Sequence, residues 1–497
     1  MQKILIVGGG TAGWMTAALF GKLFQGRYDI ELIESEAIGT VGVGEATIPP
    51  IKTYNELLQL DEAEFMRRTQ ATFKLGIQFV GWLGAGHRYM HGFGVIGQDW
   101  EWLRCHQYWL SAQQRGAARD FAEYSINSAA ALASKFVHPR PDMAESPISH
   151  ITYAFQFDAS LYAKYLRSLA EKHGVRRTEG RIVDVGTAES GDIESVTLDD
   201  GRAVAADFFI DCSGFRGLLI EQTLKTGYED WSHWLPCDRA IAVPCARTDP
   251  VLPYTRATAR DSGWQWRIPL QHRTGNGLVY SSRHIDDDSA EKLLLANLDA
   301  EHLANPNRLR FTSGKRRKMW NRNCVALGLA AGFLEPLEST SIHLVQSAAI
   351  RLVRLFPNAA TDQATIDEFN RKCDFEWERI RDFIVLHYWA NRRQGEFWDY
   401  CRSMELPATL QRKIDLWRSN GRIFREDDEL FTEESWIQVL IGQGIMPRSH
   451  DPLTAIKSDA QIDQFLGNIA ATIGRCVDVM PAHDDYLRKY CPAVAVA

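Results

Sequence analysis

The 497-residue sequence lacks a CxxC pair, a positive net charge and a long uninterrupted apolar run. Its nine cysteines are scattered, which argues against a zinc site and is typical of reduced thiols in the cytoplasm. The formal net charge of −7 argues against a general nucleic-acid binder. No apolar run reaches the ~18 residues of a transmembrane helix. The first strand has no signal-peptide pattern because glycines interrupt it. We therefore expect a cytoplasmic protein without a metal site and without a nucleic-acid or membrane partner.

The composition is that of an ordinary globular protein, with 45% hydrophobic and 24% charged residues. A chain of this length can bury a large core and should divide into more than one lobe. The 15 tryptophans are many for this length. We expect some of them to line an aromatic cavity instead of filling a core.

A dinucleotide-binding pattern opens the chain. Residues 4–7 are β-prone and apolar, Gly8, Gly10 and Gly13 follow as GxGxxG, and a helical pattern begins at once. These glycines permit a tight turn, a close approach to a pyrophosphate and close strand–helix packing. A second strand ends at Glu34, whose carboxylate can accept hydrogen bonds from ribose hydroxyls. The alternative is an ordinary βαβ unit without a ligand.

The remaining nucleotide-side strands lie far along the chain. The buried strand at residues 208–211, which breaks into a glycine turn, resembles the second nucleotide-side strand of two-dinucleotide flavoproteins. We expect an α/β fold of this FAD-binding, glutathione-reductase-like type, with an inserted substrate region and a C-terminal helical region. The expected module at 1–360 is discontinuous. Its predicted parts are nucleotide-binding segments near 1–50, 150–220 and 310–350, substrate-side insertions near 70–140 and 225–310, and a helical region at 361–497 that covers the substrate site.

Four motifs in the first two-thirds of the chain carry a family resemblance. They are the GxGxxG turn, Phe73-Lys74-Leu75-Gly76 in a segment that alternates as a strand over residues 72–82, the WxWxIP sequence at 264–269, and Phe333-Leu334-Glu335-Pro336-Leu337-Glu338-Ser339-Thr340. The sequence thereby resembles the flavin-dependent (tryptophan-type) halogenases. WxWxIP is the most specific of the four motifs, although two tryptophans on alternate strand positions also suit ordinary core packing.

The resemblance implies an activity and two catalytic residues. In this family reduced FAD and O2 oxidise a halide to hypohalous acid, which passes to an aromatic substrate in a separate cavity. Lys74 matches the essential lysine, which can hydrogen-bond hypohalous acid or form a haloamine. Glu338 matches the second catalytic residue, expected to pair with Lys74 and to act as a general base. Without the other motifs, Lys74 would be an edge-strand surface lysine and Glu338 a solvated acid at a helix start.

The resemblance also assigns the remaining site residues. Thr340 and Ser341 fall where backbone N–H groups bind halide, although tryptophan-specific members usually have glycine at the position of Ser341. Trp264 and Trp266 resemble a wall between flavin and substrate. His91 and Phe93 match a substrate loop, and core packing is an equal alternative for His91. The expected cofactor-binding residues are Gly8, Gly10, Thr11, Ala12, Gly13, Glu34, Ala46, Val183, Leu329 and Ile342.

The C-terminal region departs from the free-tryptophan halogenases, whose lid holds the amino-acid ends with a Tyr-Tyr pair, a Glu and a Phe-Trp-Asn run. Here the comparable region offers only Glu426, in an acidic run expected to be a solvated turn. We therefore expect free tryptophan to be a poor substrate, as in the indole-type members of the family, and a simple indole, a larger indole-bearing molecule or a phenol to be a better one. A separate NAD(P)H-dependent flavin reductase should supply FADH2, and a homodimer is an open alternative to a monomer. The competing functions are a flavin-dependent aromatic monooxygenase and a catalytically silent flavin-binding protein.

Overall fold

The computed structural model describes residues 2–37, 44–357 and 362–493. Its strands, in chain order, are β1 (Lys3–Val7), β2 (Asp29–Glu34), β3 (Gly44–Ala46), β4 (Thr72–Lys74), β5 (Gly76–Val80), β6 (Arg88–Gly92), β7 (Ala154–Asp158), β8 (Arg176–Glu179), β9 (Ile182–Thr187), β10 (Ile193–Leu198), β11 (Ala203–Ala205), β12 (Phe208–Asp211), β13 (Tyr228–Asp230), β14 (Arg239–Ala246), β15 (Thr255–Arg260), β16 (Gly263–Pro269), β17 (Arg273–Tyr280), β18 (Asn307–Arg310), β19 (Gly314–Arg316), β20 (Trp320–Asn321), β21 (Cys324–Ala326) and β22 (Gly332–Phe333).

The α-helices are α1 (Thr11–Phe24), α2 (Ile51–Leu57), α3 (Glu62–Thr69), α4 (Cys105–Gln114), α5 (Ile126–Leu132), α6 (Ala159–Lys172), α7 (Asp287–Leu295), α8 (Ser341–Arg354), α9 (Gln363–Trp389), α10 (Glu396–Ser403), α11 (Ala408–Asn420), α12 (Glu433–Gly442), α13 (Asp459–Asp478) and α14 (His483–Tyr490). Within the described ranges, none of them combines the length and apolar character needed to cross a lipid bilayer.

A mostly parallel sheet with the order β20-β21-β12-β1-β2-β8 forms the nucleotide side. Adjacent strands in this sheet are parallel, except that β20 and β21 are antiparallel. Ile4, Leu5 and Ile6 in β1 are fully buried, as expected of a parallel strand covered on both faces. The carboxyl ends of β1, β2, β12 and β21 therefore meet at one edge, where open α/β sheets bind ligands.

A second sheet with the order β18-β14-β17-β16-β15-β5-β6 carries the WxWxIP strand β16. A small sheet, β3-β7-β4, contacts strands β16 and β17 of this sheet through β3, which also lines the cavity on the nucleotide side. Its Gly44 faces Gly275 of β17 so closely that a Cβ on Gly275 would lie 3.2 Å from the Gly44 Cα. Glycine at both positions lets the two layers approach each other at the edge of the nucleotide site.

The strand predicted for residues 72–82 is interrupted. β4 ends at Lys74, and the backbone N–H of Leu75 donates to the Pro253 carbonyl at 2.7 Å before β5 begins. β4 pairs with β7, whereas β5 pairs with β15 and β6. Lys74 therefore lies where the chain passes from one sheet to another.

Helix α9 connects the C-terminal region to both sheets. Asp362 caps its N-terminus by accepting from the Thr365 N–H. Near its other end, residues 380–388 are buried without interruption. An all-buried helical segment packs on several sides, so this end of α9 can place side chains in the interior.

Candidate active site

A cavity of about 820 Å³ opens at the carboxyl edge of the nucleotide-side sheet. Its lining combines the β1–α1 turn, the ends of β2 and β12, strand β3, and the segment between β21 and α8. Of the predicted cofactor and halide residues, those that line it are Gly8, Gly10, Thr11, Ala12, Glu34, Ala46, Leu329, Ser341 and Ile342.

The glycine turn has the geometry of a phosphate cradle. Gly8 has φ +110°, and a Cβ on Gly13 would lie 1.9 Å from the Gly8 carbonyl oxygen. A Cβ on Gly10 would meet nothing within 4 Å, so its backbone is open to the cavity. Helix α1 starts there without a side-chain cap, which leaves N–H groups for an anion. The turn therefore fits a dinucleotide, and Gly13 serves the packing of helix on strand without lining the cavity.

Glu34 ends β2 at the cavity wall. Its carboxylate accepts from the Trp14 indole N–H at 3.2 Å and from the Arg177 guanidinium at 2.5 Å. These contacts fix the carboxylate beside the glycine turn, where a ribose would lie. The prediction for Val183 is wrong: its side chain is 55% exposed, whereas Arg181 and Ile182 line the cavity.

Lys74 is fully buried. Its Nζ donates to the Thr47 carbonyl at 3.0 Å and to Ser339 Oγ at 2.7 Å. Burial lowers the pKa of Lys74 to about 7, although the negative charge of Glu338 acts in the opposite direction. At neutral pH a large share of this amine is therefore uncharged and nucleophilic.

Glu338 is also buried, and its contacts correct one prediction. Among the described residues its carboxylate forms no ion pair with Lys74 and instead lies between two imidazoles. His91 Nδ1 lies 2.9 Å from Oε2, and His387 Nε2 lies 2.9 Å from Oε1. Burial alone would raise the pKa of Glu338, but the two histidines outweigh it and lower the pKa to about 2. Glu338 is thus ionised at neutral pH, and its carboxylate can act as a base.

The segment from Glu335 to Ser341 joins these groups to the cavity. Pro336–Glu338 form a 3₁₀ turn that Ser339 closes with φ +59°, a backbone conformation that costs energy for serine. Ser339 lines the cavity and accepts from Lys74, so one hydroxyl connects the buried amine to the cofactor side. Helix α8 then begins without a side-chain cap, with Ser341 at the cavity wall and Thr340 fully buried behind it.

The two tryptophans of β16 have different positions. Trp266 lines the cavity, and glycine at 277 makes room for it, because a Cβ there would lie 1.9 Å from the Trp266 ring. Trp264 lies behind it, 1% exposed, and its indole N–H donates to Glu335 Oε2 at 2.8 Å. The Tyr388 hydroxyl donates to the same oxygen at 2.5 Å. Burial raises the pKa of Glu335 to about 7.

The substrate-loop residues are close to both catalytic candidates. The Phe93 ring centroid lies 5.4 Å from Lys74 Nζ. His91 contacts Glu338 through Nδ1, and its Nε2 is buried without a hydrogen-bond partner among the described residues. One nitrogen of His91 is therefore used to hold the base, which leaves only the other for a substrate.

The acidic run at residues 426–429 differs from the predicted solvated turn. Glu426 is ion-paired with Arg379 at 2.9 Å and with Arg412. Glu429 is fully buried and accepts from Lys413 Nζ and from the Trp436 indole N–H, each at 2.9 Å. Only the two aspartates between them are exposed. Both glutamates are thus already neutralised by the protein.

Sequence reasoning missed Ser339, Glu335 and His387 as members of the site. Ser339 and Glu335 lie inside a motif that was recognised, so their neighbours could have drawn attention to them. His387 lies within an aromatic-rich helical segment with no local motif. Only the packing of α9 brings it to Glu338.

Comparisons with known proteins identify the family of this chain. A family profile described as tryptophan halogenase matches residues 3–459. Tryptophan 7-halogenase RebH from Lentzea aerocolonigenes is 35% identical, over 98% of this chain and 98% of its own. Tryptophan 6-halogenase ThaL from Streptomyces albogriseolus is 32% identical over the same shares.

Solved structures are similar over the whole length. Xcc4156, a flavin-dependent halogenase from Xanthomonas campestris, superimposes with a TM-score of 0.96 at 48% identity, covering 100% of this chain and 99% of that one. BrvH, a flavin-dependent halogenase from Brevundimonas sp. BAL3, gives 0.95 at 44% identity, covering 99% of each. The predicted fold class and FAD cofactor are confirmed. The chain belongs to the tryptophan halogenase family of flavin-dependent enzymes.

Proposed function

We propose that this enzyme halogenates an electron-rich aromatic ring, an indole in preference to free tryptophan, with FADH2, O2 and chloride or bromide. The observation that carries the proposal is the buried Lys74 amine, which contacts Ser339 on the cavity wall and lies beside the Glu338 segment. A buried lysine without an acidic partner within ion-pairing distance among the described residues is costly to the fold, which favours a chemical role.

The glycine turn and the Ala46, Leu329 and Ile342 side of the cavity would hold FAD, whose reduced form would supply the reduction of O2 that makes the oxidant for the halide. The halide is proposed to lie at the uncapped start of α8, near Ser341, where backbone N–H groups favour an anion. Trp266 separates this side from the substrate side, so that an aromatic substrate does not reach the flavin.

On the substrate side, Lys74 is proposed to direct the hypohalous acid and Glu338 to accept the proton that leaves the ring. A carboxylate held ionised by two imidazoles can accept that proton without first losing one of its own. Phe93 and the free nitrogen of His91 are proposed to contact the ring.

The preference for indole is supported by the state of Glu426. A substrate ammonium would have to compete with Arg379 and Arg412 for this carboxylate. Hydrogen bonds to charged groups contribute about 1.5–3 kcal/mol each. Without such an anchor we expect kcat/KM for free tryptophan to be roughly 10- to 100-fold below that for indole.

One further part of the proposal concerns a partner protein. A separate NAD(P)H-dependent flavin reductase is proposed to supply FADH2. The alternative activity, aromatic hydroxylation by the same cofactor, would not need a buried amine beside an ionised carboxylate. A silent flavin-binding protein would need neither of them.

The test is incubation with FAD, a flavin reductase, NADH and bromide, with indole and tryptophan in parallel. Mass spectrometry should find the paired isotope masses of a brominated indole. Lys74→Ala should still bind FAD but give no brominated product. A hydroxylated product would favour the monooxygenase, product yield unchanged in Lys74→Ala would remove this residue from the reaction, and faster turnover of tryptophan than of indole would refute the substrate preference.

A further inference from the structure

We propose that His387 carries the positive charge that balances Glu338, so that Lys74 rests as a free amine with its lone pair unused. This inference rests on the proposed function for its purpose, but its evidence is the hydrogen bonding of three buried side chains. It assigns a positioning role to a residue of the C-terminal helices that no motif marks.

The first observation is the number of acceptors around Lys74. A neutral amine has two N–H bonds and one lone pair, whereas an ammonium has three N–H bonds and no lone pair. Among the described residues the side chain has two hydrogen-bond acceptors, the Thr47 carbonyl and Ser339 Oγ. An ammonium would leave one buried N–H facing only the Phe93 ring at 5.4 Å. A free amine uses both N–H bonds and leaves its lone pair available.

The second observation fixes the protons on His387. Its Nδ1 lies 2.8 Å from the Phe383 carbonyl oxygen, which can only accept, so Nδ1 carries a hydrogen. Its Nε2 lies 2.9 Å from Glu338 Oε1, within ion-pairing distance but outside hydrogen-bond geometry, and it has no hydrogen-bond partner among the described residues. A lone pair on Nε2 would repel the carboxylate at that distance. The ring is therefore an imidazolium that contacts the carboxylate as an ion pair.

His91 completes the arrangement without a second charge. Its Nδ1 donates to Glu338, and its Nε2 has no partner among the described residues, which suits a neutral ring. Besides the two histidines and Lys74, a titratable group that interacts with Glu338 among the described residues is the Tyr89 phenol, whose pKa burial raises well above its usual value. Around His387 the packed groups are the uncharged rings of Phe79, Trp82 and Phe383. Glu338 then carries the negative charge and His387 the positive charge, while His91 and Lys74 are neutral.

This assignment chooses between the two roles left open for Lys74. Hypohalous acid could react with the amine as R–NH2 + HOX → R–NHX + H2O. The nitrogen lone pair forms the N–X bond, the O–X bond breaks, and the departing hydroxide takes the amine proton as water. If His387 did not balance Glu338, the carboxylate would instead draw a proton onto Lys74 and block the lone pair.

The experiment measures protonation in the flavin-free full-length protein. With lysine labelled by ¹³C at Cε, the resonance missing from Lys74→Met is assigned to Lys74 and followed against pH. Its midpoint should be about 7 in the wild type. It should rise by about one to two pH units in His387→Gln, because a nearby positive charge is lost. His106→Gln, which removes another buried histidine that contacts a backbone carbonyl, should leave the midpoint unchanged.

A second measurement does not depend on the folding of His387→Gln. With ¹⁵N-labelled histidine, the wild type at pH 8 should show an imidazolium signal that becomes neutral in Glu338→Gln, whereas His343, which lies 2.9 Å from Glu376, should give the same signal in both proteins. A charged Lys74 at pH 8, an unchanged midpoint in folded His387→Gln, or the absence at pH 8 of an imidazolium that responds to Glu338→Gln would each overturn the inference. None of these readouts needs halogenation, so a protein that titrates as expected but makes no brominated indole would refute only the proposed function.

Discussion

Replacing Lys74 by methionine should stabilise the protein at neutral pH while abolishing halogenation. Methionine has nearly the length of lysine and carries no charge, so it fills the same buried space. The expected gain comes from the unfolded state, in which lysine is charged, and not from a better native contact.

The magnitude follows from the lowered pKa of Lys74, about 7 in the folded protein against the ordinary value of 10.5. Between these two pH values the unfolded state binds more protons than the native state, so native stability rises with pH. Burying Lys74 as a neutral amine therefore lowers the unfolding free energy by about 4 kcal/mol at pH 7 and by about 1 kcal/mol at pH 10. Methionine removes this penalty but also loses the two hydrogen bonds to Thr47 and Ser339, at about 1 kcal/mol each.

The net change in unfolding free energy is therefore about +2 kcal/mol at pH 7 and about −1 kcal/mol at pH 10. For a protein of this length the unfolding entropy converts about 1 kcal/mol into about 1 °C of Tm. Differential scanning calorimetry at a fixed scan rate should find Lys74→Met melting about 2 °C above the wild type at pH 7, with the order reversed at pH 10.

The matched control is Lys413→Met, which removes a buried lysine whose partner is Glu429. Because it leaves a buried carboxylate unpaired, it should lower the Tm at both pH values. If Lys74→Met also melts lower at pH 7, or if its difference from the wild type does not vary with pH, Lys74 is charged in the native protein and the reasoning fails.

Three further predictions concern other parts of the site. Glu338→Gln should reduce kcat for bromoindole formation by at least about 100-fold. Because the pKa of Glu338 is low in the native protein, its ionised form contributes stability above pH 4.5, and this stability disappears as the pH falls toward 2. Acid unfolding, monitored by circular dichroism, should therefore be less steep in the variant. Gly277→Ala should push the Trp266 ring into the cavity and weaken FAD binding about tenfold, measured by quenching of flavin fluorescence, and unchanged affinity would place Trp266 away from the flavin. Glu426→Gln should leave kcat/KM for indole unchanged, and a large change would mean that this carboxylate serves the substrate.

Local sequence patterns were informative wherever a few consecutive residues determine a geometry. The GxGxxG turn could be predicted because each glycine has a local role. A Cβ on Gly8 or Gly13 would clash with nearby backbone, and Gly10 leaves its backbone open to the cavity. The error at Val183 has a simple cause. Neighbouring side chains on a strand point to opposite faces, so an error of one residue moved the contact from Ile182 to an exposed position.

Long-range contacts were beyond prediction from a single sequence. The expectation that Glu338 pairs with Lys74 came from two motifs considered alone. The pairing with His91 and His387 depends on how β6 and α9 pack around the segment before α8. No periodicity in the sequence distinguishes His387 from the buried aromatic residues beside it.

Helix α9 presents consecutive residues to different parts of the site: His387 to Glu338 and Tyr388 to Glu335 behind the tryptophan wall. This has a consequence for protein engineering. A chimera that takes its C-terminal helices from another halogenase, in order to accept a bulkier ring, also exchanges the groups that set proton affinities at the reaction centre. Such grafts should begin after Trp389, so that scope can change while the acid–base chemistry stays that of the host.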